Sequence, residues 1–274
     1  MEKACLHVVA TPIGNLEDIS LRALDVLAKA DVVAAEDTRR SRQLLSRHGI
    51  DRSLVTLHEH NEEKQAPQLV RRLLDGESVA LVSDAGTPLL SDPGYRLVCL
   101  AVENGIDVVA VPGPSAVTAA LSVAGLPTDR FTFEGFLPAR AAARLKRLQS
   151  LQGETRTLVF FESSHRIEAC LADLEQAFGP DRPAAVCREL TKQFETVLRG
   201  GLGEIRAAVE NDPNQRKGEF VIVVGGGEAQ VGGLVQAKEL ANALKEHVGA
   251  SQAARIAARI HGVSRRDVYN SGSE

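Results

Sequence analysis

Tryptophan is absent from the 274 residues, methionine occurs once, and aromatic residues make up only 4%. An RNA surface built on stacked aromatic rings is therefore not expected. The four cysteines, Cys5, Cys99, Cys170 and Cys187, stand far apart and form no CxxC pair. That excludes a zinc ribbon and a disulfide framework. They read instead as small buried hydrophobes in a reducing compartment. No apolar run reaches the roughly 18 residues that a membrane span needs. The start, Met1-Glu2-Lys3-Ala4-Cys5, enters an apolar strand without the charged and apolar regions of a signal peptide. A cytoplasmic protein is expected. Neither charge sign dominates: 32 basic residues face 36 acidic ones, a formal net charge of −4. Coating nucleic acid by bulk charge is excluded, whereas a local basic patch is not.

What is present is an ordinary globular composition, 44% hydrophobic and 25% charged. Short apolar runs alternate with helical periods. Leu6–Thr11, Asp31–Glu36, Leu54–Leu57, Val79–Ser83 and Ile106–Val111 read as strands. Between them, helices are expected at 20–29, 38–47, 62–74 and 92–103, the last with Pro93 at its first position. A further helix runs from Pro114 to Ala124. Continuous apolar strands such as Val79–Val82 suit a parallel sheet covered on both faces. A second strand-helix unit extends to residue 226. The fold class is α/β: one domain over residues 1–116 and another over 117–226. Gly225-Gly226-Gly227 with Gly232-Gly233 reads as a linker. A small helical, helix-turn-helix-like appendix is expected over 232–274.

The common site motifs are missing. No Walker A is present, and Gly201-Leu202-Gly203 lacks the third glycine of a dinucleotide loop, since Arg206 stands there. Gly113-Pro114-Ser115 resembles a nucleophile elbow, but Val117 occupies the position that needs glycine. His58-Glu59-His60 has no third ligand at a metal-binding spacing, so no metal is expected. What stands out is four loops at the carboxyl ends of expected strands: 11–15, 36–39, 83–88 and 111–116. They are rich in glycine, proline and short polar residues, and should lie on one edge of one sheet. That edge is where open α/β sheets bind ligands.

These loops resemble the tetrapyrrole methylase superfamily, and within it the bacterial branch that methylates 16S rRNA. The resemblance rests on Val9-Ala-Thr-Pro-Ile-Gly-Asn-Leu-Glu-Asp-Ile19, Ala35-Glu-Asp-Thr-Arg39, Leu81-Val-Ser-Asp-Ala-Gly-Thr-Pro88 with Ser91-Asp-Pro-Gly94, and Val111-Pro-Gly-Pro-Ser115. Phe160-Phe-Glu-Ser-Ser-His-Arg166, Arg188-Glu-Leu-Thr-Lys192 and Gly218-Glu-Phe220 extend it. It implies two α/β domains with S-adenosyl-L-methionine in the cleft between them, and a homodimer. The implied reaction is transfer of a methyl group to the ribose 2′-oxygen of a decoding-region cytidine in small-subunit rRNA. By the same resemblance the cofactor touches Pro12, Ile13, Asp84, Gly86, Thr87, Ser115 and Ala116, with Phe160 and Phe161 on its adenine side. Tetrapyrrole-methylating relatives carry Ser-Gly-Asp-Pro where this chain has Ser83-Asp-Ala-Gly-Thr-Pro88, a departure that favours the rRNA branch. A methylase of the same fold acting on a tetrapyrrole or protein side chain is the second reading. An RNA-binding assembly factor with a vestigial cleft is the third.

A ribose hydroxyl becomes a good nucleophile as its proton leaves, so a nearby base is expected. Glu36, Asp37 and Lys192 are the leading candidates, with His58, His60 and Glu189 behind them. Glu36 and Asp37 alternatively pair with Arg39 or Arg40 and only shape the loop, and Lys192 alternatively holds a phosphate. Three stretches carry arginine with little acid. They contain Arg39 and Arg40, then Arg144 and Arg147, then Arg255, Arg259, Arg265 and Arg266. Together they form the expected phosphate-tracking surface.

Overall fold

A computed structural model of the chain describes residues 4–227 and 232–269. The expected start of the chain, the middle of the glycine linker and the last five residues of the appendix lie outside them. Five strands, β1 (Cys5–Val9), β2 (Val32–Ala35), β3 (Ser53–Thr56), β4 (Val79–Val82) and β5 (Asp107–Val111), form the first sheet in the order β3-β2-β4-β1-β5. Every pairing in it is parallel. Helices α1 (Leu21–Lys29), α2 (Thr38–Arg47), α3 (Glu62–Leu74) and α4 (Tyr95–Glu103) connect the strands. All four residues of β2 and of β4 are buried, as a sheet covered on both faces requires. Separate apolar clusters fill the two faces, one around Leu69, Leu81 and Leu97, the other around Leu27, Val33 and Leu45.

Because the sheet is parallel, the four glycine- and proline-rich loops emerge from one edge, as their sequence led us to expect. Ser20 caps α1 by accepting the Ala23 N–H at 3.0 Å. The entry to α4 differs from expectation. The helix begins at Tyr95, not Asp92, with Gly94 at φ +121° as its cap. Glu62 reaches across from α3 and accepts the N–H groups of Gly94 and Arg96 at 3.1 and 2.8 Å. This carboxylate cap supplies what a side-chain cap would have given. Asp92 and Pro93 are thereby left in the loop.

Helix α5 (Ala116–Ala124) carries the chain to the second sheet, against which Val117, Ala120, Leu121 and Ala124 pack. That sheet contains β6 (Phe131–Phe136), β7 (Thr157–Ser163), β8 (Pro183–Arg188), β9 (Thr196–Gly201) and β10 (Glu219–Val224), in the order β6-β7-β10-β8-β9. Only the β6–β7 pair is parallel. Helices α6 (Ala141–Ser150), α7 (Ile167–Phe178) and α8 (Leu202–Asn211) cover its other face, around Leu148, Leu171 and Ile222.

The appendix consists of α9 (Gly232–Val248), α10 (Ala250–His261) and α11 (Arg265–Tyr269). Ala253, Ala254, Ala257 and Ala258 on α10 meet Ala237 and Ala241 of α9. Small side chains at helical spacing let the two helices approach closely. Gly249 and Gly262, at φ +75° and +64°, make the turns on either side of α10.

Candidate active site

A cleft of about 440 Å³ opens between the two sheets. One wall comes from the loops of the first sheet: Ile13, Asp84 to Thr87, Leu90 to Asp92, Ser115 and Ala116. The facing wall comes from the second sheet: Phe136, Phe161 to Ser164, and Gly218 to Val221. Cys187, Leu190 and Arg40 complete the lining.

The loops hold one another through backbone bonds. Thr11 and Gly86 exchange two N–H···O bonds, at 2.9 and 3.0 Å. The Thr11 hydroxyl donates to Ser83 O, and Thr87 Oγ1 donates to Pro114 O at 3.1 Å. Gly86 has φ +80°, and a Cβ there would come 3.2 Å from Ile13 Cγ2. Glycine is needed for both the turn and the close approach. The two walls also touch. Thr191 Oγ1 accepts the Asn15 N–H at 3.1 Å, and a Cβ on Gly14 would sit 2.4 Å from Lys192 Cγ.

Of the residues expected to meet the cofactor, Ile13, Asp84, Gly86, Thr87, Ser115, Ala116 and Phe161 line the cleft. Two of the expected residues stand elsewhere. Pro12 is buried and does not line it. Phe160 is fully buried among Leu148, Leu171 and Ile222 on the opposite face of the sheet. Successive strand residues point to opposite faces, so only one of two adjacent phenylalanines can face the cleft. Phe161 does, with its ring edge-on to Phe133 and Phe136 at centroid distances of 4.8 and 5.6 Å.

The expected bases fare unevenly. Asp37 caps α2, accepting the Arg39 N–H at 2.8 Å and pairing with the Arg39 guanidinium. Those bonds hold its carboxyl down at about 2, which makes it a poor proton acceptor. Lys192 Nζ binds Glu189 Oε1 at 2.9 Å and Glu219 Oε2 at 2.8 Å. Burial alone would favour its neutral form, but hydrogen bonds to the two carboxylates outweigh this and raise its pKa. Held by two carboxylates, it keeps its proton more firmly than a free lysine does. Glu36 is raised by burial and then by the nearby Asp84 charge, but it does not line the cleft. His58 and His60 lie outside the cleft with their rings 6.0 Å apart. Among the described residues no group of three His, Cys, Asp or Glu side chains is arranged to hold a metal ion.

Asp92 and Glu162, which stand in the quoted motifs but were given no role there, and Phe136 also line the cleft. Asp92 was absorbed into an expected helix. Glu162, buried, accepts the Ser163 N–H at 2.8 Å, and its other oxygen lies 3.2 Å from Arg166. Among the basic residues, Arg39, Arg40, Arg255, Arg259, Arg265 and Arg266 are exposed. Arg147 is half exposed and bound to Glu134. Arg144 corrects the expectation: its side chain is 4% exposed, and its Nε lies 2.6 Å from Asp173 on α7. It is an internal tie between α6 and α7, unable to meet a phosphate.

A parallel sheet whose loops face a mixed sheet across one cleft is the architecture of a two-domain methylase. The chain belongs to the tetrapyrrole (corrin/porphyrin) methylase family, whose profile matches residues 5–206. Residues 234–272 match the RsmI C-terminal HTH domain. The chain is 55% identical over 265 residues to ribosomal RNA small subunit methyltransferase I of Xylella fastidiosa strain Temecula1, covering 96% of this chain and 97% of that one. It is 48% identical over 265 residues to the protein of the same name from Escherichia coli O157:H7, covering 96% and 93%. Among solved structures, diphthine synthase matches with a TM-score of 0.61 and 18% identity over 81% of this chain and 90% of that one. Uroporphyrin-III-C-methyltransferase from Thermus thermophilus matches with a TM-score of 0.55 and 22% identity over 81% and 94%. These two establish the fold.

Proposed function

We propose that this protein methylates small-subunit rRNA, with S-adenosyl-L-methionine as methyl donor, at the ribose 2′-oxygen of a decoding-region cytidine. The observation that carries the reading is the joining, in one chain, of a methylase cleft to an arginine-bearing helical appendix. Relatives named for rRNA methylation match both parts along nearly their whole length. Family likeness further supports a homodimer, and action on ribosomal RNA supports a cytoplasmic setting.

The cleft fits the donor. Its volume lies within the roughly 300–1,000 Å³ of small-molecule sites. Gly86 leaves room for a ligand to reach the backbone, and Phe161 offers an apolar wall to a base ring. Ser115 caps α5 without a side-chain hydrogen bond, so the opening amides of that helix suit a carboxylate. Asp84 and Asp92 give the lining the negative charge that a sulfonium prefers. When bound, the donor supplies a methyl carbon already activated for in-line displacement. The chain's contribution is alignment of the acceptor oxygen, exclusion of water and removal of the hydroxyl proton.

Arg40 lines the mouth and is exposed, while Arg255 and Arg259 stand one turn apart on α10. Cations at these places suit phosphates. Transfer of labelled methyl groups to unmodified 30S subunits, naked 16S rRNA and a tetrapyrrole pool tests the proposal. Label recovered in ribose of the rRNA is expected. Label confined to tetrapyrrole, or none in RNA despite donor binding, would sink it.

A further inference from the structure

We infer that Phe136 is the stacking surface for the base of the acceptor nucleotide at the mouth of the cleft. The inference rests on the rRNA-methylation reading and names the residue that orients its substrate.

The first ground is the backbone of β6. Phe133 pairs with Val159 of β7, but the register then slips, so that Gly135 pairs with Phe160 and Phe136 with Phe161. Strict alternation from Phe133 would give the cleft face to Gly135 and turn Phe136 away from it. The extra residue reverses this, and Phe136 joins Phe161 on the cleft lining. Gly135 makes the bulge with φ +63°, a conformation that glycine adopts freely. Bulges that re-aim a side chain are common beside active sites.

The second ground is exposure. Phe133 and Phe161 pack against the apolar cluster beneath α5, whereas Phe136 is 55% exposed. Phe161 meets its ring edge-on, at 65° between the planes. An edge-on neighbour covers at most one face of a ring, so the other is open to a flat ligand. Burial of apolar area within the protein does not account for a phenylalanine held in this way.

The opposite wall is built to match. Ser91 Oγ lies 3.1 Å from where a Cβ on Gly135 would be, so the loop after β4 crosses the bulge closely. Leu90 and Phe136, the next residues on either side of that approach, both line the cleft, and Leu90 is 38% exposed. Leu89 and Ser91 hold left-handed backbone, at φ +73° and +68°. Such strain in residues other than glycine is costly and concentrates at ligand clamps. Two partly exposed apolar side chains, one from each wall, thus flank the entrance.

The occupant follows from the reaction. The 2′-oxygen must reach the methyl carbon inside the cleft, and the base is joined to the neighbouring ribose carbon. The base therefore stays within one nucleoside's length of the reacting atom, at the entrance. A pyrimidine offers the π-face that an open phenyl ring stacks on. The donor's adenine has its own apolar wall in Phe161, behind Phe136. Arg40, exposed and also on the lining, suits the phosphate of the same strand.

The test compares the full-length protein with Phe136→Tyr, Phe136→Leu and Phe136→Ala. Tyrosine keeps the aromatic face, leucine keeps apolar bulk without it, and alanine keeps neither. Methylation of unmodified 30S subunits is followed at saturating donor over a range of subunit concentrations. Phe136→Leu and Phe136→Ala should lower kcat/KM for the subunit roughly 5–150-fold, the size of one stacked base. Phe136→Tyr should stay within about threefold of wild type. Donor affinity, read by calorimetry, should fall several-fold less than kcat/KM does. A Phe136→Leu protein as active as wild type overturns the inference, because apolar bulk would then suffice. An equal loss of donor affinity overturns it in favour of the donor's adenine as occupant. A change in sedimenting mass overturns it in favour of a contact between copies of the chain. A wild type unable to methylate the subunit overturns the rRNA reading, and this inference with it.

Discussion

Arg40 Nη1 lies 3.3 Å from Asp84 Oδ2 at the mouth of the cleft. The same carboxylate accepts the Asp37 N–H, so one side chain joins the start of α2 to the glycine loop. The Arg40 side chain is 66% exposed, and an exposed pair contributes little to stability. Its charge is available to a phosphate approaching the rim. Arg40→Ala should therefore weaken rRNA binding several-fold and lower the salt dependence by about one counterion. Donor affinity should stay within twofold, and unfolding free energy should change by less than about 1 kcal/mol. Filter binding across salt concentrations, beside calorimetry with the donor, checks this. An equal loss of donor and RNA affinity would mean that the pair shapes the pocket only.

Arg255 and Arg259 lie one helical turn apart on α10, opposite the alanine face that packs on α9. Reversing both charges should leave the appendix folded, because neither is part of its core. Arg255→Glu with Arg259→Glu should reduce subunit methylation at limiting RNA by tenfold or more without changing donor affinity. Circular dichroism and rates over a range of subunit concentrations separate the two effects. An unchanged KM for the subunit would remove the appendix from the RNA surface.

Arg144 calls for the opposite outcome. Its guanidinium is buried against Asp173, and it also donates to Ala139 O. Removing one partner of a buried ion pair strands the other, at about 3–5 kcal/mol. Arg144→Ala should lower the unfolding free energy by about that much, read by urea titration. RNA affinity of the folded protein should not change.

These contrasts show what the sequence made legible. The parallel sheet was readable because its strands are short, apolar and separated by helical periods. The loops were readable because glycine and proline cluster after four of those strands. The sorting of Phe160 from Phe161 was not, because strand register decides which of two neighbours faces the cleft. Arg144 looked like a surface cation because its acid, Asp173, is 29 positions away on another helix. Asp92 was hidden by Pro93, which fits a helix start. Only the distant Glu62 and the positive φ of Gly94 show that the helix begins later.

Gly218 joins the cleft to the Lys192 network. Its φ is +100°, and a Cβ there would sit 2.5 Å from the Glu189 carboxyl. That carboxylate accepts the Glu219 N–H at 2.9 Å and holds Lys192. Gly218→Ala meets both a strained backbone and a collision, so about 2–4 kcal/mol of destabilisation is expected. Glu189→Ala in the same chain should relieve the collision but not the strain. A double-mutant cycle by urea titration should show coupling of about 1 kcal/mol or more between the two positions. Strict additivity would argue against the contact.

The raised carboxyl of Asp92 also predicts how stability varies with pH. In the unfolded chain its pKa is near the ordinary aspartate value of 3.8, and in the folded protein it is about 6. The folded state thus holds the proton more tightly. Below about pH 4 both states are protonated and the group is neutral in its effect. As pH rises from there to 6, ionisation is easier in the unfolded chain, so stability falls, and the deficit persists at higher pH. Each pKa unit is about 1.4 kcal/mol. Water reaches part of the side chain, so we expect about 1 kcal/mol in practice. Asp92→Asn removes the charge and keeps the shape. It should unfold some 2–4 °C above wild type at pH 7.5 and at the same temperature near pH 4. Differential scanning calorimetry at the two pH values decides the point. A variant less stable at pH 7.5 would mean that the ionised carboxylate is held by a favourable contact.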